Sequence, residues 1–289
     1  NSIGKYLYCL DGFYNEESEC KSCSNFGEKC IKCGACARIC KSGCIYINKE
    51  GFPIESRRLL PFCIKCQHCL AICPTGALSV FGKNPQDSVF KKDFVKAEDL
   101  RGLIEYRRSC RFYKQENVPQ ETINKLKDML AFVPTGRNNH SLHFALITDI
   151  KDMEVFKQIA EEKLKKVIKF LPSFGIIKKY KKLLSKGVKS IFQDAPHLIV
   201  VCVDKKAPCK KYDPIIALSY FELYAQTLGL GTLWCGLAYG LLKFIPSLQK
   251  YLNIPKTHEV CYVMLFGLPS VSFARGTQPK KCTFSEFSK

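Results

Sequence analysis

The chain has 289 residues, 46% hydrophobic and 25% charged, which is enough to bury a core, excludes a disordered chain and by length suggests two domains. Lys and Arg number 45 against 26 Asp and Glu, a net charge of +19 in which only nine residues are Arg, and no nucleic-acid motif accompanies this lysine-rich surface. The longest apolar run, Val260–Phe266, is too short to span a bilayer, and no basic-then-apolar leader opens the chain, so a cytoplasmic protein is expected.

Of 18 cysteines, twelve fall between Cys9 and Cys73. In a reducing compartment such density points to metal, cluster or redox chemistry rather than a disulfide framework. Cys30–Ile47 (CIKCGACARICKSGCIYI) and Cys63–Val80 (CIKCQHCLAICPTGALSV) align without a gap at an offset of 33 residues. Each carries C-x2-C-x2-C-x3-C, the spacing that holds cubane [4Fe–4S] clusters. Three thiolates at i, i+3 and i+6 wrap one cube. The fourth begins the next element, points away and serves the other cube. Cluster one is therefore assigned Cys30, Cys33, Cys36 and Cys73, and cluster two Cys63, Cys66, Cys69 and Cys40. Two complete runs of this form weigh against paired zinc sites.

Residues 26–83 resemble two-cluster bacterial-type ferredoxins. Two positions depart from that pattern: Lys41 follows Cys40 where Pro is usual, and Cys44 replaces a small Ala. Lys41 would add positive charge near a cluster. Cys9, Cys20 and Cys23 have no place in this scheme. They either join Cys44 in a four-cysteine zinc or iron site or are unpaired thiols on an extension, residues 1–25. His68 reads as a neighbour of the cluster rather than a ligand.

Asn84–Lys96 is polar and separates two composition regimes. A ferredoxin-like domain over 1–84, a linker over 85–97 and a second domain over 98–289 follow. In the second domain Ala97–Tyr106 reads as a helix. Pro119 opens another, with Ile123, Leu126, Leu130 and Val133 at helical spacing. His143–Thr148 reads as a strand, Lys151–Phe170 and Ile176–Ile191 as helices, Pro196–Val203 as a buried strand, Asp213–Leu228 as an apolar helix stopped by Gly229, and Val260–Phe266 as a strand. Helices interrupt strands irregularly, which favours a layered α+β domain over a repetitive βαβ fold.

Residues 106–149 carry R-R-S-x-R-x-Y, a Val-Pro-led helix, P-T-G-x-N and then a strand; Leu228–Gly236 reads LGLGTLWCG and Phe266–Lys281 reads FGLPSVSFARGTQPKK. Four such motifs in this order resemble the FMN-dependent nitroreductases over about residues 98–282. The whole chain resembles a ferredoxin–nitroreductase fusion. The residue types suit a flavin mononucleotide, since Arg binds phosphate bidentately. The resemblance implies that Arg107 and Ser109, with Arg108 beside them, hold ribityl or phosphate oxygens. It puts Arg111 near the N1–C2=O edge and closes Arg275, helped by Lys280 or Lys281, on the phosphate. Thr135, Gly136 and Asn138 would approach the flavin, Asn138 through its amide. A backbone N–H of Cys235 or Gly236 would face flavin N5. Asn139-His140-Ser141-Leu142 departs from the usual polar-Gln-Pro-Trp, which bears on substrate preference. Cys235 has no basic partner and is not read as a nucleophile.

These readings imply an oxidoreductase with two [4Fe–4S] clusters and FMN. Electrons would pass from the clusters to the flavin and on to a small-molecule acceptor such as a nitroaromatic, quinone or activated enone. A homodimer with the flavin at its interface is implied by the same resemblance. Between Lys151 and Lys189, 12 Lys face 4 acidic residues, a patch suited to an acidic donor protein such as a ferredoxin or flavodoxin. The competing reading is an electron-carrier or redox-sensing module whose second domain is a docking scaffold without turnover.

Overall fold

The computed structural model describes residues 24–26, 28–89, 95–170, 187–278 and 281–287. The chain divides into two compact units, Asn1–Lys92 and Asp93–Lys289. In the first unit, β1 (Ser24–Phe26), α1 (Ala35–Ile39), β2 (Ile45–Ile47), β3 (Pro53–Glu55), α2 (His68–Ala71) and β4 (Leu78–Val80) follow one another. β1 pairs with β4 and β2 with β3, both antiparallel. The sequence repeat is a structural repeat. α2 begins 33 residues after α1, and β4 lies 33 residues after β2. Left-handed backbone recurs at the same offset: Lys32 with Lys65, Gly34 with Gln67, and Gly43 with Gly76, all at φ between 53° and 69°. These turns fold each cysteine run back on itself. The buried core is small, comprising Cys36, Ile45, Leu70, Leu78 and Val80.

The second unit opens with α3 (Ala97–Tyr106) and α4 (Gln120–Leu130). It continues through β5 (Leu142–Ile147), α5 (Ile150–Phe170), α6 (Lys189–Phe192), β6 (His197–Asp204), α7 (Asp213–Thr227), β7 (Gly231–Trp234), α8 (Gly236–Phe244) and β8 (His258–Gly267). The four strands form one antiparallel sheet in the order β5-β6-β8-β7. β6 is buried along almost its whole length because both of its faces are covered. Leu198, Val200 and Cys202 pack with Met153, Phe156 and Leu164 of α5 and with Leu241 and Leu242 of α8. Ile199 and Val201 face the other way, onto Ile123, Leu126 and Leu130 of α4 and Leu218 and Phe221 of α7. This is the layered α+β architecture the element pattern implies. At about 1.5–3 kcal/mol for each large apolar side chain buried, these two clusters hold the three layers together.

The expected elements recur with ends shifted by a residue or two. Val133 is buried but lies beyond the end of α4, and Pro119 is its N-cap rather than part of its first turn. Most of the helix expected at Ile176–Ile191 lies outside the described residues; its last part appears as α6. β7 and α8 were not anticipated. No helix among the described residues is long and apolar enough to cross a membrane.

His197, at the start of β6, is fully buried, and its Nε2 accepts the Val118 N–H at 3.1 Å. Burial pushes its pKa down to about 4, only partly countered by Asp149. In the unfolded chain the same ring protonates near pH 6.5. The unfolded state therefore binds more protons as pH falls from 6.5 to 4, and stability drops across that window by a few kcal/mol, on the order of 3. Urea unfolding followed by Trp234, the sole tryptophan, should show this loss. A His197→Gln chain should show a much flatter profile over the same range.

Candidate functional site

The first unit gathers its cysteines into two sets. Cys30, Cys33, Cys36 and Cys73 line one pocket, closed by Ile31 and Leu78. Burial pushes the Cys36 thiol up, and Cys73 and Cys30 add to this. Burial also pushes Cys69 up to about 11, with Cys40, Cys63 and Cys66 reinforcing it. The fourth cysteine of each run thus stands with the first three of the other. Each thiolate in a set raises the cost of the next, so both sets suit a cationic, thiophilic centre. Among the described residues no three His, Cys, Asp or Glu side chains converge closely enough on a single metal ion.

One sulfur in each set accepts a backbone amide from four residues on. Ala77 N–H donates to Cys73 Sγ at 3.2 Å, and Cys44 N–H to Cys40 Sγ at 3.3 Å. At Cys73 burial works against the thiolate, but the Ala77 amide and Thr75 outweigh it and lower the pKa. Cys44 is buried and stands against Cys40 and Cys63. Cys9, Cys20 and Cys23 lie outside the described residues. His68 is exposed at the first position of α2, and Lys41 is exposed after Cys40.

In the second unit the candidate residues form two groups at opposite ends of α7. The first group lies against β7. Ser109 bridges Thr232, and Cys110 N–H donates to Thr232 O at 2.8 Å. Arg107 Nη1 donates to Glu222 Oε1 at 3.2 Å. Glu222 also accepts from Thr232 Oγ1 at 3.2 Å and from Trp234 Nε1 at 3.0 Å. Three donors satisfy this buried carboxylate, as burial requires. Arg108 Nη1 donates to the Glu105 and Arg107 carbonyls, while its buried Nη2 has no acceptor. Arg111 is exposed.

The C-terminal segment runs back along this group. Lys114 N–H donates to Leu268 O, Ser270 N–H to Phe112 O and Tyr106 OH to Phe273 O. A Cβ on Gly276 would stand 3.1 Å from Glu105 O and 3.5 Å from Arg108 Nη2, so the chain at exposed Arg275 passes beside Arg108. A buried guanidinium nitrogen without an acceptor, with two further arginines close by, fits an anionic group. Lys280 lies outside the described residues and Lys281 is exposed. The Cys235 amide donates to Val263 O at 2.9 Å, and its buried Sγ donates to Ile191 O at 3.1 Å. Of the two amides proposed to face a flavin, Gly236 is the one in the first turn of a helix, where N–H groups have no intrahelical acceptor.

The second group is the turn 135–141, at the N-terminus of α7. Gly136 N–H donates to both carboxylate oxygens of Asp213, at 3.0 and 3.1 Å. Thr135 Oγ1 accepts from His140 N–H, and Asn138 Oδ1 lies 3.0 Å from His140 Nε2. Arg137, Asn138 and His140 all have left-handed backbone, at φ 58°, 55° and 48°. Strain of about 1–3 kcal/mol at each such residue concentrates at functional turns. Asn139 Oδ1 and Ser141 Oγ are buried without partners. Glycine at 136 is needed for a reason internal to the chain: a Cβ there would overlap the Cys209 side chain. Asp213 and Glu222 stand nine residues apart on α7. That is about 13 Å along the axis and half a turn around it.

Glu222 and Asp213 were missed from sequence. The available signal was that they are the only two acids in α7, whose remaining residues are neutral and mostly apolar.

A four-stranded antiparallel sheet between two helical layers, following a duplicated cysteine unit in the sequence, defines a redox protein of two parts: a ferredoxin-type module and a nitroreductase-type α+β fold. The model of the nitroreductase family matches residues 104–268, and that of the 4Fe-4S dicluster domain matches residues 28–78. The chain belongs to the nitroreductase family, as a ferredoxin–nitroreductase fusion. A putative NADH dehydrogenase/NAD(P)H nitroreductase of Archaeoglobus fulgidus is 26% identical over 177 residues, 60% of this chain and 86% of that protein. Iodotyrosine deiodinase 1 of Sus scrofa is 26% identical over 209 residues, 66% of this chain and 68% of that protein. Among solved structures, a nitroreductase with bound FMN from Bacteroides fragilis superposes with a TM-score of 0.54 at 19% identity, covering 66% of this chain and 99% of that one.

Gly136→Ala should destabilise the second unit by about 1–3 kcal/mol, the usual cost of overpacking. Adding Cys209→Ala should recover only part of this loss, because the Cys209 Cβ would remain 2.7 Å from the new methyl. Thermal unfolding of the single and double variants measures both effects.

Proposed function

We propose that the chain is an FMN-dependent oxidoreductase that draws electrons through two [4Fe–4S] clusters and delivers them to a small-molecule acceptor. Nitroaromatics, quinones and activated enones are the acceptor classes. The observation that carries the reading is the split cationic site: Arg107, Arg108 and Arg275 at one end of α7 and the strained turn 135–141 at the other. Bound FMN supplies two-electron storage, and the clusters supply one-electron delivery.

The chain's own residues bind and orient. Cys30, Cys33, Cys36 and Cys73 hold one cluster, and Cys40, Cys63, Cys66 and Cys69 the other. Arg107, Arg108 and Arg275 neutralise the phosphate, with Ser109 as a further donor. Glu222 fixes Arg107, so that the guanidinium is already oriented. Arg111 offers a positive charge at the flavin edge, and the Gly236 amide a donor. Thr135, Gly136 and Asn138 complete the site of a second copy of the chain, since α7 separates them from the arginines of their own. Lysines of α5 and the segment after it dock an acidic donor protein. Part of that patch lies outside the described residues.

Anaerobically prepared protein should hold about eight iron and eight sulfide per chain, as two cubanes require. Zinc without iron would sink the cluster reading. Arg107→Ala should release FMN, since a charged hydrogen bond contributes on the order of 1.5–3 kcal/mol. Arg111→Ala should keep FMN but slow its reduction. Cys235→Ser should keep both FMN and turnover. Full FMN occupancy in Arg107→Ala would overturn the assignment of Arg107 to the phosphate, and a protein purified without any flavin absorption would favour a docking scaffold.

Electron transfer from an acidic donor should weaken as salt rises, the Debye length being roughly 10 Å at 0.1 M. Rates that do not change with ionic strength would reduce the lysine patch to a solvated face.

A further inference from the structure

Each residue of the first cysteine run has a counterpart 33 positions along in the second, so a side chain that binds its loop in only one run marks a difference between the two. Arg38 is such a residue, and Ala71 is its counterpart. Arg38 lies in the last turn of α1, yet its guanidinium reaches back past the start of that helix. Its Nη1 donates to the Cys33 carbonyl at 2.9 Å. A Cβ on Gly34 would stand 3.2 Å from the same nitrogen. Cys33 and Gly34 both line the pocket formed with Cys30, Cys36 and Cys73. Ala71 carries no donor, so the matching Cys66 carbonyl of the second run lacks this partner.

The other cation of each loop is common to both runs. Lys32 Nζ lies 4.0 Å from the centroid of the Phe52 ring, and Lys65 Nζ 5.4 Å from that of Phe81. Lys41 also lacks a cationic counterpart, since Pro74 stands in its place, but it is exposed and no hydrogen bond ties it to a cysteine loop among the described residues. The Cys33 sulfur is four bonds from its own carbonyl oxygen, so the guanidinium is fixed within one residue of a thiolate of this set. Arg keeps its charge at any working pH. Reduction adds one electron to a cluster, and a fixed positive charge beside it stabilises the more negative, reduced form, which moves the potential upward. Arg38 is exposed, so water and salt weaken this attraction without changing its sign.

We propose that Arg38 is a tuning residue: its guanidinium, held on the Cys33 carbonyl, raises the potential of the cluster bound by Cys30, Cys33, Cys36 and Cys73 and makes the two halves of the repeat inequivalent as electron carriers. The proposal rests on the two-cluster reading. No bond forms or breaks at Arg38: the electron from the donor enters the cluster, and the guanidinium keeps its proton in both states.

Arg38→Ala, Arg38→Lys and Ala71→Arg in the full-length holoprotein, prepared anaerobically, test this by iron and sulfide analysis and an EPR-monitored redox titration at low and high salt. All three variants should hold as much iron as the unaltered chain. In Arg38→Ala one of the two midpoint potentials should shift to more negative values while the other stays in place, and the shift should be smaller at high salt. Arg38→Lys keeps the charge and should hold that potential closer to the unaltered value than Arg38→Ala does. Ala71→Arg puts a guanidinium at the exposed counterpart position and should raise the midpoint that Arg38→Ala leaves in place. Two unchanged potentials at full iron content in Arg38→Ala would overturn the proposal. So would a loss of iron in that variant, which would make Arg38 a structural residue, or one and the same midpoint answering to both Arg38→Ala and Ala71→Arg. An unaltered chain with fewer than two clusters would overturn the two-cluster reading along with it, and the iron analysis of that chain tells the failures apart.

Discussion

Strand β6 has almost no residue that faces water, and the second unit is arranged around that constraint. A strand apolar on both faces needs a helical layer on each side. α5 and α8 cover one face, and α4 and α7 the other. Once α7 is held against the sheet by Leu218, Phe221 and Ala225, the rest of the site follows from it. Its N-terminal Asp213 anchors the turn at Gly136, and its Glu222 anchors Arg107, Thr232 and Trp234. A buried carboxylate on an otherwise apolar helix is costly unless every lone pair is used. Glu222 therefore fixes the approach of the arginine run to β7 as firmly as the backbone bridge at Ser109 does.

α7 acts as a spacer between the two halves of the site. Its rigid backbone sets their two anchoring carboxylates, Asp213 and Glu222, about 13 Å apart along the axis and half a turn around it. On the proposed reading this makes the homodimer a consequence of the helix rather than an addition to it. Each chain offers arginines at one end and a strained turn at the other, and a twofold arrangement pairs unlike ends twice. The orphaned Asn139 Oδ1 and Ser141 Oγ belong to the segment where the sequence departs from the usual Gln-Pro-Trp.

Much of this was legible in the amino-acid order, and what was not has a physical reason. The cysteine repeat could be read because a metal-binding turn restricts spacing to the residue, and the left-handed positions then recur at the same offset. The strongly periodic α4 and the apolar β6 could be read for the same kind of reason, a single dominant period or run. β7 and α8 could not: Gly231–Phe244 is apolar almost throughout, with no alternation to separate a strand from a helix. Asp213 holds Gly136, 77 residues away in sequence, and Glu222 joins Arg107, 115 residues away, to Thr232 and Trp234 on the next strand, which no local pattern encodes. The sequence places Gly136 against a flavin; the structure shows a different need for glycine there, since a Cβ would overlap Cys209 of its own chain, a contact visible only once the fold is assembled.

The two units differ in what holds them together. The second has two large clusters of buried side chains on either side of a sheet. Among the described residues, the first has one core cluster of five buried side chains, one of them Cys36, and strands of three residues each. A unit that small does not recover its conformational entropy from apolar burial alone, and such units rely on metal or cross-links. Burial and neighbouring cysteines push the Cys36 and Cys69 thiols up, so a cluster must displace protons to bind there. On the proposed reading, cluster binding supplies the missing folding energy together with that proton release. The redox group of the first unit is then also its core, whereas in the second unit a flavin would sit on a fold that is already complete.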